Sequence, residues 1–112
     1  KQWYGVSGDR AEELERAMRD YAPELFEQQP DLLSHLVTMI SPATLVEQGV
    51  PTCRLSQRAG EFVVTMPRAY HGGFNHGFNV AESCNVALPP WLPWGAQADD
   101  RYRAAARPQV FS

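Results

Sequence analysis

Helical periodicity dominates the first half of the chain and strand-like alternation the second. Lys1-Gln2-Trp3-Tyr4-Gly5-Val6 is rich in aromatic and β-branched residues and predicts a short strand over 1–6. Ala11, Leu14, Met18 and Tyr21 then recur at i, i+3, i+7 and i+10, the apolar stripe of a surface helix. Asp9 is placed to cap that helix, with Glu12 three residues on as its capping-box partner. Pro23 and Pro30 punctuate the next stretch. There Leu25, Phe26, Leu32, Leu33, Leu36, Val37 and Ile40 offer anchors for short helices, and His35 among them reads as structural. Ser41-Pro42 opens another helix, with serine as cap and proline in the first turn. Gly49 closes it and Pro51 prevents its continuation.

From residue 51 the period changes. Strands are predicted over 52–56 and 61–66, separated by a turn at Ala59-Gly60; Phe62, Val64 and Met66 share one face at period two. Tyr70–Asn75 and Phe78–Val86 read as two more, with Gly72, Gly73 and Gly77 close by. Short strands joined by glycine-rich turns predict a β-sandwich or barrel. Pro89, Pro90 and Pro93 interrupt this run; a last helix is expected over Trp94–Ala106, packed outside, with a loose tail from Arg107. The fold class expected is mainly β with a helical insert (α+β). An opening strand with no entry before it also suggests that part of the sheet lies elsewhere.

With 112 residues the chain is about one domain or a large piece of one, and 44% hydrophobic residues suffice for a core. No run of about 18 apolar residues marks a membrane span, and the start lacks a signal-peptide pattern. Net charge is −3 and the nine arginines are scattered, which argues against duplex nucleic-acid binding by this segment. Lys1 is the sole lysine. Cys53 and Cys84 form no CxxC pair, so a reducing, intracellular setting is expected. The spacing of Cys53, His71, His76 and Cys84 fits no zinc pattern.

Candidate chemistry concentrates in residues 70–86. Alternation puts His71, Gly73 and Asn75 on one side of a strand, and Tyr70 and Phe74 on the other. In 78–86, Asn79, Ala81, Ser83 and Asn85 form a small or polar face opposite Phe78, Val80, Glu82, Cys84 and Val86. If the two strands are neighbours, His71, Asn75, Ser83 and Asn85 converge on one polar cavity, where glycine beside a histidine leaves room for a ligand. Such a face suits an iron(II) centre, since two histidines and a carboxylate leave positions open for substrate and oxygen. From spacing alone an ordinary wet sheet face, with His71 and the asparagines bonded to backbone or solvent, is the better reading. His76, of opposite parity, reads as structural, and Glu82 points to the packed side.

The segment Gly60-Glu61-Phe62-Val63-Val64-Thr65-Met66-Pro67-Arg68-Ala69-Tyr70-His71-Gly72-Gly73-Phe74-Asn75-His76-Gly77-Phe78-Asn79-Val80-Ala81-Glu82 resembles the C-terminal signature of JmjC domains. Lys1–Val6 resembles the segment after that family's second core strand, and the likeness covers roughly residues 1–103. It implies residues 1–106 as the C-terminal part of a JmjC domain, a partial double-stranded β-helix (jelly-roll, cupin-like) with packed helices. It implies the cofactors iron(II) and 2-oxoglutarate and the oxidative removal of N-methyl groups from histone lysines, in the nucleus. By the same resemblance, His71 is the distal iron histidine, Lys1 pairs with the far carboxylate of 2-oxoglutarate, and Trp3 lies beside it. Asn75 lies next to the metal, and Ser83 and Asn85 line the methylammonium pocket.

Pro23-Glu24-Leu25-Phe26, Gln29-Pro30-Asp31-Leu32-Leu33, Gly49-Val50-Pro51 and Trp91-Leu92-Pro93 are most similar to the branch acting on lysine 4 of histone H3. The implied partner is then the methylated H3 tail, with chromatin engaged through other domains. Ser7 departs from that branch, where proline is usual; His76 and Ser83 are similar to the lysine-9/lysine-36 branch. The family's first iron histidine and its carboxylate, an H-x-D/E pair, are expected before Lys1. A non-catalytic chromatin-binding module, a JmjC demethylase for lysine 9 or 36 of histone H3 and a protein hydroxylase are the alternatives.

Overall fold

The computed structural model describes residues 1–30 and 39–108. The expectations for His35 and for Leu32, Leu33, Leu36 and Val37 lie outside the described residues, as do those for the tail's last four. The chain forms two compact units, Lys1–Asn79 and Val80–Ser112.

The first unit is built on a three-stranded antiparallel sheet. Strand β1 (Gln2–Val6) is central, flanked by β2 (Cys53–Ser56) and β3 (Tyr70–Phe74). Gln2 faces Ser56 and Gly5 faces Cys53 on one edge; Gln2 faces Phe74 and Val6 faces Tyr70 on the other. The ladder runs one residue beyond β1: the Lys1 nitrogen donates to the Gln57 carbonyl at 2.9 Å and the Gln57 N–H to the Lys1 carbonyl at 2.8 Å.

Helices pack on one side of this sheet. A 3-10 turn (Gly8–Arg10) leads into α1 (Ala11–Tyr21), then come α2 (Pro23–Gln28) and α3 (Pro42–Glu47). Val6, Leu14, Ala17, Met18, Phe26, Ile40, Leu45 and Val50 form the core, and Tyr70 packs against it. The helical stripe is as expected at Ala11, Leu14 and Met18, but Ala17 closes it and Tyr21 is exposed. Asp9 does not cap α1. The 3-10 turn places Arg10 at the cap position, and Asp9 instead takes a hydrogen bond from Ser7, which holds its carboxyl below the ordinary range. Arg10 pairs with Glu13 at 2.6 Å.

Helix α3 follows its sequence signals at both ends. Pro42 occupies the first turn after Ser41, although the serine hydroxyl makes no capping bond. At the other end Gly49 takes φ +80°. The Gly49 N–H reaches the Val46 carbonyl and the Val50 N–H the Leu45 carbonyl, each at 2.9 Å. That pair of bonds is the Schellman closure, and buried Leu45 and Val50 supply its hydrophobic contact.

Two predicted strands do not form. Residues 61–66 form no strand, and Phe62 is 96% exposed. Residues 78–86 likewise form no strand, and Phe78 is 99% exposed. Alternation prepares a strand, but a ladder also needs a neighbour's N–H and C=O groups. Among the described residues, none pairs with either segment. The turn between β2 and residue 61 is present, with Gly60 at φ +80° and the Glu61 N–H on the Arg58 carbonyl at 3.2 Å.

The second unit holds a 3-10 turn (Pro89–Trp91) and α4 (Leu92–Ala104), two residues earlier at each end than the predicted helix. Gly95 is buried beneath the Trp91 ring, where a Cβ has no room. Asp99 and Arg103 pair at 2.7 Å one turn apart. No helix among the described residues is long and apolar enough to cross a membrane.

The core assignment predicts a contrast. Leu14, 4% exposed, should lose about 2–5 kcal/mol of stability on Leu14→Ala, because the cavity adds to the lost transfer energy. Val46→Ala, at 59% exposure, should stay within about 0.5 kcal/mol. Urea unfolding of both variants measures the difference; equal losses would contradict this packing.

Candidate functional site

Side chains alternate along a strand, so burying one set commits the other to the opposite face. Gln2 and Val6 are buried toward the helices, which turns Trp3 and Gly5 away from them. Register extends the division across the sheet. On the face away from the core, Cys53, Gly5 and His71 form one row, and Leu55, Trp3 and Gly73 the next. Gln57 and Lys1, paired beyond the strand ends, continue the series.

Three side chains on this face meet. The Lys1 ammonium sits 4.3 Å from the centroid of the Trp3 ring. Trp3 and His71 lie on neighbouring strands with ring centroids 6.0 Å apart and planes tilted by 44°. The imidazole and the chain's one ammonium therefore lie on the same side of the sheet, joined by an indole. A cation over an aromatic face contributes about 0.5–1 kcal/mol at an exposed site, enough to bias where Lys1 rests without immobilising it. No carboxylate among the described residues pairs with Lys1, and His71 makes no hydrogen bond among them. Both polar ends remain available to a ligand.

A cavity of about 240 Å³ adjoins this face, lined by Trp3, Gly5, Leu55, Val64, Met66 and His71 among others. One side of it, at the start of β3, is tied to the helices. Tyr70 Oη donates to a Glu15 carboxylate oxygen at 2.9 Å, and Arg68 pairs with Glu12 at 3.0 Å. Arg68 itself has φ +62°, a left-handed conformation adopted just before β3 begins. These ties join β3 to α1 immediately before His71.

The sequence-predicted residues separate into two groups. Lys1, Trp3 and His71 are brought together. Asn75 follows β3 directly, two positions beyond Gly73, and is exposed. Ser83 and Asn85 are exposed in the second unit and belong to no strand, so the strand pairing on which their convergence with His71 rests is not formed. Glu82 is exposed rather than packed. His76 has the parity expected of a structural residue: its Nε2 lies 3.4 Å from Gln2 Oε1 on the core side, and its ring meets Phe74 edge-on at 5.1 Å.

Gly73 has a different role from the one its neighbour suggested. The space a side chain would need is taken by the Gln2 carbonyl of β1, so the close approach is strand to strand. Gln57 was not legible from spacing. Its Oε1 accepts the Trp3 indole N–H at 2.9 Å across 54 residues of sequence, a pairing that only the β1–β2 register creates.

The residues present fit a share of a metal site. Among the described residues, no three His, Cys, Asp or Glu side chains come together to hold a metal ion. His71 offers one imidazole, and Lys1 an ammonium suited to a carboxylate as a point charge.

The family described as JmjC domain, hydroxylase, matches residues 1–86. Over all 112 residues the chain is 56% identical to lysine-specific demethylase 5B of Gallus gallus. It is 54% identical to lysine-specific demethylase 5D of Pan troglodytes and of Homo sapiens. The chain spans 7% of the length of each of these relatives.

Gly73→Ala tests the strand contact that orders this face. An added methyl must displace the Gln2 carbonyl, opening the ladder between β1 and β3. Hydrogen exchange should report faster exchange of the amides in Gln2–Val6 and Tyr70–Phe74, with α1 less affected. Unchanged protection in the strands would show that the contact is not tight.

Proposed function

The chain belongs to the JmjC domain family, and on that footing we propose that it is part of an oxygenase that removes methyl groups from histone lysines, lysine 4 of histone H3 first. The observation that carries this reading is the shared face of Lys1, Trp3 and His71. The 54–56% identity to proteins named lysine-specific demethylases supports the substrate class. The similarity to the lysine-4 branch around Pro23–Phe26 and Trp91–Pro93 favours that lysine.

Iron(II) and 2-oxoglutarate, when bound, supply oxidation of the N-methyl carbon by molecular oxygen. The chain's own residues bind and orient. His71 gives the metal one neutral imidazole nitrogen. Two further ligands, a histidine and a carboxylate, come from outside these 112 residues; the 7% coverage of the relatives leaves ample chain for them. Lys1 holds the far carboxylate of 2-oxoglutarate by charge, and Trp3 gives the ammonium its seat and the co-substrate an apolar wall. Asn75 follows His71 and Gly73 at period two and would sit beside the metal. Ser83 and Asn85 offer neutral oxygens to a methylammonium group, a role that requires segment 78–86 to be paired in the larger domain. That completed sheet is the double-stranded β-helix, with residues 1–106 as its C-terminal part and 107–112 as a tail. The protein works in the nucleus, on methylated H3 tails, reaching chromatin through its other domains.

In the full-length protein, His71→Ala should abolish formaldehyde release from methylated H3 peptides. Lys1→Ala should raise the KM for 2-oxoglutarate about tenfold or more, the loss of a charge-assisted contact. Full turnover in His71→Ala would defeat the assignment. A wild-type protein that binds H3 peptides without turning them over would favour a chromatin-binding module instead.

A further inference from the structure

Just beyond β2, the Gln57 side chain bonds the Trp3 ring on which the Lys1 ammonium rests. Its amide is fixed at both ends. Oε1 accepts the Trp3 indole N–H at 2.9 Å, and Nε2 donates to the Glu61 carbonyl at 2.9 Å. An indole N–H can only donate and a carbonyl can only accept, so the orientation of the amide is settled by its partners. Glu61 is itself held: its N–H reaches the Arg58 carbonyl at 3.2 Å, and its carboxylate accepts the Arg58 N–H at 2.7 Å. The same Gln57 exchanges both backbone bonds with Lys1. One residue therefore sets the backbone of Lys1 and the ring plane on which the Lys1 ammonium rests.

We propose that Gln57 is a positioning residue for 2-oxoglutarate: its side-chain amide locks the Trp3 indole, and through that ring it holds the Lys1 ammonium where the far carboxylate of the co-substrate docks. This rests on the role proposed above for Lys1. The Gln57 amide is committed to Trp3 and the Glu61 carbonyl, so its effect should fall on 2-oxoglutarate alone. Only a side chain with an acceptor aimed at Trp3 and a donor aimed back at the turn satisfies both partners. Leucine matches glutamine in bulk and supplies neither.

The test is a double-mutant cycle in the full-length protein, with Gln57→Leu, Trp3→Phe and the two combined. Trp3→Phe keeps an aromatic seat for Lys1 but removes the N–H, so it probes the same bond from its other end. Binding of 2-oxoglutarate is measured by calorimetry with manganese(II) in place of iron and without oxygen, so that no turnover is needed. Each single variant should weaken that binding about three- to tenfold, the range a single net hydrogen bond supplies. The double variant should be no weaker than the worse single, since both remove one interaction. Affinity for manganese(II) and the KM for the H3 peptide should not change. Unchanged 2-oxoglutarate affinity in Gln57→Leu, additive losses in the double variant, or equal losses for metal and peptide would each overturn the proposal. If Gln57→Leu does not fold, Trp3→Phe decides alone, by weakened or by unchanged 2-oxoglutarate binding. Lys1→Ala separates the two levels. A loss there with none in Gln57→Leu removes only the role of Gln57, whereas no loss in Lys1→Ala removes the site reading and this inference together.

Discussion

The antiparallel register of β1 between β2 and β3 governs everything else in the first unit. Strand side chains alternate with a period of two, so the buried positions Gln2 and Val6 dictate that Lys1, Trp3 and Gly5 point the other way. Because Gly5 faces His71 and Trp3 faces Gly73, the imidazole joins the same face. A slip of one residue in the β1–β3 pairing would send the imidazole to the helical core. Gly73, which admits the Gln2 carbonyl, and Tyr70, held by Glu15, oppose that slip; on the opposite edge Ser56 donates to Gln2 at 2.8 Å and pins the register of β2.

Backbone pairing, rather than ion pairs, supplies the order on the site face. The ion pairs of this unit are exposed or half-exposed, and such pairs contribute little, about 0–1 kcal/mol. The side chains of Lys1 and His71 have no hydrogen-bonding or ion-pair partner among the described residues, and the contact of Lys1 with Trp3 is worth only about 0.5–1 kcal/mol. Their cost and their usefulness have one origin: polar groups held in place by the sheet, with their polar ends unsatisfied. The helical layer bears the packing load, which leaves the opposite face free to be chemical.

What was legible in the sequence was local. The helices announced themselves through periodicity at Leu14 and Met18 and through the proline–glycine punctuation around α3, where each signal acts within a few residues. Strand β3 and the facing of His71 followed from alternation alone. Alternation also predicted strands at 61–66 and 78–86, which did not form, because a strand is completed by a partner that its own sequence does not contain. The capping role of Asp9 failed for a related reason: a 3-10 turn moved the helix start by one residue and gave Asp9 to Ser7. Gln57 was invisible for the opposite reason, since its function is created by a contact 54 residues away. Lys1 and Trp3 were singled out by the likeness to JmjC domains alone; spacing on its own would have left them as an aromatic strand end.

From one sheet face, His71 is proposed to hold the metal and Lys1 the far carboxylate of the 2-oxoglutarate bound to it. A crystal structure of the full-length protein's catalytic domain with manganese(II) and 2-oxoglutarate tests it directly. The expected result is His71 bonded to the metal through a ring nitrogen and the Lys1 ammonium on the far carboxylate, with Trp3 between them. A metal held without His71, or a 2-oxoglutarate whose far carboxylate lies across the sheet from Lys1, would contradict it.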